Sequence, residues 1–112
     1  MTFKRSSCPI ANVLDVIGDK WSLLVIRDMA LGKRRFAEFL ASPEGISTNI
    51  LTQRLQQLEA KGWVQRVCYQ VKPARYEYEL SAKGRDFLPV LDEMLRWAQV
   101  HLPDTQKFER TR

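Results

Sequence analysis

Residues 47–62 read STNILTQRLQQLEAKG and residues 64–80 read VQRVCYQVKPARYEYEL, and these two stretches decide the fold. In the first stretch, leucines recur at the i, i+4, i+7 spacing of a helix with one buried face: Leu51, Leu55 and Leu58. Ser47 stands where a helix N-cap would lie, and Gly62 stands where a helix would end. We therefore expect a helix from Thr48 to Lys61.

The second stretch changes to a period of two residues. Apolar and polar side chains alternate along Val64–Val71 and again along Arg75–Leu80, which is the pattern of half-buried strands. The connection Lys72-Pro73-Ala74 is short and has turn composition. The two strands are therefore expected to form a β-hairpin.

The rest of the chain is predicted to be mostly helical. The expected elements are a helix at residues 9–17, a second capped by Asp19 and ending near Leu31, a short helix near 36–41, a turn at 42–45, and a last helix from Ser81 to about Val100. Pro89 is expected to kink or break that last helix. Residues 103–112 are polar and are expected to form a frayed tail.

A short helix, a turn, a capped helix and a hairpin, in this order, predict a winged helix-turn-helix. The fold class is then mainly α with a small β-hairpin, and residues 1–112 form a single domain. We call the helix after Ser47 the recognition helix and the hairpin the wing. The N- and C-terminal helices are expected to form a dimer interface.

The composition excludes most metal and enzymatic chemistry. The chain has one histidine, His101, and two cysteines, Cys8 and Cys68, so it lacks a zinc-ligand set. No nucleophile is paired with a base, and we expect no cofactor and no enzymatic activity. No apolar run approaches the roughly 18 residues of a membrane span, and residues 1–7 lack the apolar core of a signal peptide. A cytoplasmic protein without a membrane partner is expected.

The outer face of the recognition helix has the chemistry of base recognition. About 100° per residue places uncharged, hydrogen-bonding side chains opposite or beside the leucines: Asn49, Thr52, Gln53 and Gln56, which we call the recognition face. Such amides pair with adenine edges in the major groove of double-stranded DNA. Ser47 and Thr48 are expected near a phosphate at the helix N-terminus. Arg54 lies at the edge of the buried side and either reaches a phosphate or packs its stem inward. The alternative is an ordinary solvated helix surface.

Positive charge is concentrated around this helix. Residues 33–75 hold eight basic and three acidic side chains, an excess equal to the whole net charge of +5. Lys72 and Arg75 at the tip of the wing are expected to contact phosphates or a minor groove, or else only to keep an exposed edge soluble. Arg34 and Arg35 are assigned either to the DNA backbone or to solvent.

Seven short motifs lie between residue 8 and about residue 98: Cys8-Pro9, Gly18-Asp19-Lys20-Trp21, Arg35-Phe36-Ala37-Glu38-Phe39, Gly45-Ile46-Ser47, Leu51-Thr52-Gln53-Arg54-Leu55, Leu58-Glu59-Ala60-Lys61-Gly62 and Tyr76-Glu77-Tyr78-Glu79-Leu80-Ser81-Ala82-Lys83-Gly84. In their order and spacing, the chain resembles the HxlR-type family of bacterial winged-helix transcription regulators, distant relatives of MarR regulators. The resemblance implies a homodimer that binds a pseudo-palindromic operator. The chain departs from the family pattern at Trp63 and Ser81, which lie outside the recognition face.

Apolar residues near both ends of the chain independently favour a homodimer. The last helix carries a wide apolar band, with Trp97 and Leu102 beside it, and Phe3 and Ile10 lie near the start of the chain. These residues either pair across a two-fold axis or pack within one chain.

Cys8 is the candidate sensor. Some regulators of the resembled family use a cysteine at this position to sense oxidants or electrophiles. A helix N-terminus and the nearby Lys4 and Arg5 would favour the reactive thiolate. The alternative is a small cap without a switching role. Cys68 is assigned to packing or to the solvent face.

The main competing function is a winged helix that binds proteins and not DNA. It tolerates the positive charge but does not predict the recognition face. The effector is left open between an oxidant, a small molecule and none.

Overall fold

A computed structural model describes residues 5–105 of the 112-residue chain. Its elements are α1 (Pro9–Ile17), α2 (Ser22–Ala30), α3 (Phe36–Leu40), α4 (Thr48–Ala60), β1 (Val64–Gln70), β2 (Arg75–Leu80), α5 (Ala82–Arg85) and α6 (Leu88–His101). The order confirms the predicted winged helix-turn-helix, with α4 as the recognition helix. Among the described residues, no helix is long and apolar enough to span a membrane. Phe3 and the end of the predicted tail, 106–112, lie outside the described residues.

The core is built from the inner faces of α1 to α4, Ile46 in the turn before α4 and the base of the wing. Its buried apolar residues are Ile17, Val25, Ile26, Met29, Phe39, Ile46, Leu51, Leu55, Leu58, Trp63, Val64 and Leu80. Leu51 and Leu58 are 0% exposed and Leu55 is 2% exposed, as their spacing predicts. Burial of this leucine stripe directs the opposite side of α4 toward solvent.

Both ends of α4 are capped by the residues that the sequence indicates. The Ser47 hydroxyl accepts a hydrogen bond from the Ile50 amide at 3.2 Å. Gly62 has a φ of +80°, which ends the helix in the left-handed conformation that glycine adopts readily. Lys83 Nζ donates to the Lys61 carbonyl at 2.7 Å and so holds this end against α5.

One predicted helix start needs correction, and the break predicted in the last helix is confirmed. α2 begins at Ser22, because the Asp19 carboxylate accepts from the Trp21 and Ser22 amides at 2.9 and 3.0 Å and so caps the helix from three residues away. The last helix is two helices, α5 and α6, and the break falls before Pro89, which occupies the first turn of α6. Proline has no amide hydrogen to donate, so the first turn is where a helix tolerates it.

The wing is an antiparallel pair whose register runs from Val64 opposite Leu80 to Cys68 opposite Tyr76, with an irregularity between Cys68 and Gln70. The Tyr78 amide also donates to the Arg34 carbonyl at 2.7 Å. The segment before α3 is therefore attached to β2 through its backbone, and this contact fixes the wing relative to the helices.

Candidate nucleic-acid interface

The recognition face is exposed. Asn49, Thr52, Gln53 and Gln56 all lie on the solvent side of α4. The Thr52 hydroxyl donates to the Thr48 carbonyl at 2.9 Å. The side-chain amides of Asn49, Gln53 and Gln56 form no hydrogen bond with any described residue, so their donors and acceptors are available to a ligand.

The N-terminal end of α4 is also open. Ser47 and Thr48 are exposed, and the first turn of the helix contains no acidic residue. Ile46, just before them, is 8% exposed and anchors the turn in the core. The positive end of the helix dipole and its free amides therefore face solvent beside the recognition face.

Arg54 points into the protein. Its side chain is 24% exposed, Nη1 donates to Gln57 Oε1 at 2.8 Å, and the same nitrogen lies 3.7 Å from Asp19 Oδ1. Its Nε is buried and has no hydrogen-bond partner. Of the two alternatives for Arg54, the structure displays inward packing.

Arg34 and Arg35 are engaged with the wing. Arg34 Nη2 lies 3.0 Å from Glu79 Oε2, and Arg35 Nε lies 3.2 Å from Glu77 Oε2. The Arg35 guanidinium also lies 4.1 Å from the centre of the Tyr69 ring. Hydrogen bonds from Gln65 and then from Arg34 lower the pKa of Glu79 below its ordinary value. Both arginines remain about half exposed, so they brace the wing and still border solvent.

Lys72 and Arg75 are exposed at the turn of the wing. Their charged groups form no ion pair or hydrogen bond with any residue in the described range 5–105. They therefore differ from Arg34 and Arg35, whose charges are balanced by glutamates. The uncompensated positive charge of the wing lies at its tip.

A partly buried ionic cluster between α2 and the turn before α4 has no counterpart in the sequence prediction. Asp28 is 4% exposed, binds Arg27 Nη2 at 2.8 Å and accepts a hydrogen bond from the Ser42 hydroxyl. Arg27 also makes two 2.8 Å contacts with the Glu44 carboxylate. The hydrogen bonds from Arg27 lower the pKa of Glu44 to about 2. The only sequence signal was an aspartate beside the apolar stripe of α2.

Cys8 is exposed at the N-cap of α1, and its thiol makes no capping hydrogen bond. Arg5 is paired with Asp15 at 2.8 Å, so its charge is compensated, and Lys4 lies outside the described residues. Cys68 is also exposed, and its Sγ donates to the Gln70 carbonyl at 3.0 Å. Within residues 5–105, no three His, Cys, Asp or Glu side chains are grouped to hold a metal ion.

Large apolar side chains are exposed on both terminal helices. Ile10 is 71% exposed on α1, and Trp97 and Val100 on α6 are 54% and 63% exposed. No residue of α6 is buried. A cavity of about 240 Å³ lies between α2 and α6 and is lined by residues that include Leu24, Leu91 and Leu95.

In sequence, the chain matches proteins that are named HTH-type transcriptional regulators. It is 46% identical over 87 residues to an uncharacterised HTH-type transcriptional regulator of Synechocystis sp., which covers 78% of this chain and 64% of that protein. It is 38% identical to the uncharacterised HTH-type transcriptional regulator YybR of Bacillus subtilis, over 85% of this chain and 76% of that one. This chain thus spans just under two thirds of the Synechocystis protein.

Solved structures of transcriptional regulators also resemble the fold of this chain. One is a protein of Porphyromonas gingivalis W83 that is named a MarR-family transcriptional regulator. It superposes with a TM-score of 0.75 at 28% identity, covering 90% of this chain and 99% of that one. The redox regulator HypR in its oxidised form superposes with a TM-score of 0.76 at 38% identity, covering 84% of this chain and 97% of that one.

The family profile described as HxlR-like helix-turn-helix matches residues 16–106, which include every element from α2 to α6. The sequence relatives are named transcriptional regulators, and none is named as an enzyme. The chain therefore belongs to the HxlR-like helix-turn-helix family.

Proposed function

We propose that this protein binds a pseudo-palindromic operator in double-stranded DNA as a homodimer and thereby regulates transcription. The observation that carries the proposal is the recognition face, which combines exposure with unused amide donors and acceptors. A surface that only needs solvation is usually rich in Glu and Lys, whereas Asn and Gln match the adenine edge in the major groove. A DNA partner implies the cytoplasmic location expected from the sequence.

The phosphate contacts are assigned to groups around this face. Ser47 and Thr48 lie at the N-terminus of α4, where free amides and the helix dipole favour a phosphate. Lys72 and Arg75 are assigned to the backbone or minor groove beside the site. Arg34 and Arg35 join them only if a phosphate displaces Glu77 and Glu79.

The salt dependence of binding distinguishes these arrangements. Two free cations per protomer, Lys72 and Arg75, give four phosphate contacts per dimer and a slope of log K against log salt of about −3.6. Release of Arg34 and Arg35 raises the number to eight and the slope to about −7.

The experiment is a gel-shift titration between 50 and 200 mM salt with the DNA upstream of the gene that encodes this chain, against a mixed-sequence duplex. We expect a sequence-specific shift with one of these two slopes. A slope near zero, or no shift at any salt concentration, contradicts DNA binding and favours the winged helix that binds proteins.

Homodimer formation is proposed from the exposed apolar residues of α1 and α6. A two-fold axis through this surface would present two recognition helices to half-sites about 34–36 Å apart, or a multiple of that spacing. The expected footprint therefore covers two inverted half-sites on one face of the DNA.

We further propose that an oxidant or electrophile acts on Cys8. Its exposure at the N-terminus of α1 supports this, as does the likeness to HypR, which is named a redox regulator. The test compares operator binding by the parent, Cys8→Ser and the matched control Cys68→Ser, with and without diamide or a quinone. We expect a response in the parent and in Cys68→Ser only. A parent without a response, or an unchanged response in Cys8→Ser, refutes the sensor role.

A further inference from the structure

We propose that Arg54 is a positioning residue, which holds the recognition helix to the start of α2 and does not contact DNA. This inference deepens the proposed DNA binding and rests on it. Arg54 lies beside Gln53 on α4 and carries a charge that a DNA-binding protein would be expected to direct at a phosphate.

The side chain of Arg54 points toward the protein interior. Arg54 is 24% exposed, and its Nε is buried without a partner. Nη1 donates to Gln57 Oε1 at 2.8 Å and faces Asp19 Oδ1 at 3.7 Å. Gln57 in turn reaches the Val16 carbonyl through Nε2 at 3.4 Å. One guanidinium thus links the inner side of α4 to the end of α1 and the residues before α2.

Asp19 is held in place independently of Arg54. Its carboxylate accepts hydrogen bonds from the Trp21 amide at 2.9 Å, the Ser22 amide at 3.0 Å and the Ser22 hydroxyl. Burial raises the pKa of this carboxyl, but these hydrogen bonds outweigh burial and leave its pKa below the ordinary value. The Asp19 carboxylate is therefore a negative charge that is fixed at the N-terminus of α2. Its attraction for the Arg54 guanidinium can hold α4 in place relative to α2.

The opposite end of α2 holds the segment that leads into α4. Asp28 accepts from Ser42 at the end of α3, and Arg27 binds Glu44 through two 2.8 Å contacts. Glu44 lies three residues before the Ser47 cap. The two ends of α2 are thus joined to the recognition helix by charged groups, one at the turn before it and one at its middle.

This attachment matters for base recognition because base-edge hydrogen bonds need correct side-chain placement. A rotation of α4 moves Asn49, Gln53 and Gln56 together relative to the groove, while phosphate contacts from the wing tolerate small shifts. Loss of the Arg54 bridge should therefore reduce operator binding more than binding to unrelated DNA.

The primary experiment measures both affinities and the salt slope for Arg54→Met. For a positioning residue, we expect at least a tenfold loss of operator affinity, less than a threefold change on mixed-sequence DNA, and an unchanged slope. If Arg54 contacts a phosphate, affinity falls for all sequences and the slope becomes shallower by about 1.8 per dimer. The control Lys72→Met, at the wing tip, is expected to give that second pattern.

Two further variants distinguish a positioning role of Arg54 from a phosphate contact. Asp19→Asn keeps a hydrogen-bond acceptor near Trp21 and Ser22 but removes the charge that faces Arg54. It should lower operator affinity if Arg54 positions α4, and should leave affinity unchanged or raise it if the freed Arg54 binds a phosphate. Arg54→Lys keeps the charge without the planar guanidinium, so it restores a phosphate contact but not the bridge.

A measurement without DNA separates this inference from the proposed function. Hydrogen exchange on the free protein should show weaker protection of the α4 amides in Arg54→Met and Asp19→Asn than in the parent, with circular dichroism confirming that each variant is folded. Unchanged protection in both variants overturns the positioning role. Absence of salt-dependent DNA binding by the parent, with α4 protection weakened as expected, refutes the proposed function alone.

Discussion

Gln53 and Leu55 lie two residues apart on α4 and face opposite sides of the helix. Gln53→Ala removes an exposed amide, so the free energy of unfolding should change by less than about 0.5 kcal/mol, while operator binding should weaken by about 1–3 kcal/mol. Leu55→Ala empties a position that is 2% exposed and should cost about 2–5 kcal/mol of stability. Urea denaturation and gel-shift titration of each variant provide the two measurements. Equal effects of both variants on stability would contradict this orientation of α4.

The burial of single residues was predictable from the sequence where the helical spacing of apolar residues determines which side chains face the core. The spacing of Leu51, Leu55 and Leu58 was sufficient to place them inside, and it placed the amides outside as a consequence. Arg54 was not predictable, because a residue at the boundary of the apolar stripe fits either direction. Its direction depends on Asp19, which is 35 positions earlier in the chain and gives no local signal.

Glu44 provides a pH test of the link between α2 and the turn before α4. The pKa of Glu44 is lowered from 4.5 to about 2 by the hydrogen bonds from Arg27. A lowered pKa in the folded state means that the contribution to stability is complete above about pH 4.5 and is lost as the pH falls toward 2. Glu44→Gln should therefore be less stable than the parent at pH 7, by up to about 1 kcal/mol for a partly exposed pair.

The measurement is urea denaturation of parent and Glu44→Gln at several pH values between 7 and 2. The difference in unfolding free energy should shrink steadily below pH 4.5. Glu93→Gln, which removes an exposed pair with Arg96 within α6, serves as the control for general charge effects. A difference that stays constant down to pH 2 would show that the Glu44 carboxylate does not stabilise the fold through Arg27.

α5 packs closely on Trp63, the residue that precedes the wing, and a substitution at Gly84 tests this packing. A Cβ added at Gly84 would lie 2.2 Å from the Trp63 carbonyl oxygen, which is backbone and cannot rotate away. Gly84→Ala should therefore destabilise the protein by about 1–3 kcal/mol, because the helix must shift. Thermal denaturation measures the loss, with Glu93→Ala on the exposed side of α6 as the control. A melting temperature equal to that of the parent would contradict the close packing.

Helices and strands were predictable as elements, but their mutual attachments were not. Capping residues and apolar periodicity predict the bounds of α1, α4 and both strands to within one or two residues, because each of these signals lies inside the element. The pairing of Arg34 and Arg35 with Glu77 and Glu79 joins residues more than 40 positions apart. Only the approach of the segment before α3 to β2 brings those charges together, and it leaves Lys72 and Arg75 as the unpaired cations of the wing.

The distribution of exposed apolar side chains over the chain favours a partner chain. α6 has 14 residues and buries none of them, although a core helix normally buries a stripe. Its large exposed side chains, Met94, Trp97 and Val100, are accompanied by Ile10 and Leu14 on α1, which are 71% and 51% exposed. Large apolar side chains exposed on the terminal helices are typical of an oligomer interface.

Trp97→Glu tests the proposed dimer interface. A large side chain that is 54% exposed in the single chain would become buried in the dimer, and a carboxylate there would have to be desolvated without a partner. If the parent forms the proposed dimer in analytical ultracentrifugation, we expect Trp97→Glu to be monomeric at the same concentrations, with little change in circular dichroism. Operator affinity should fall steeply, because two linked half-sites bind far more tightly than either alone. Arg96→Glu, at the adjacent position and 66% exposed, is the control that introduces the same carboxylate. Dimeric Trp97→Glu would place the two-fold axis elsewhere on the protein.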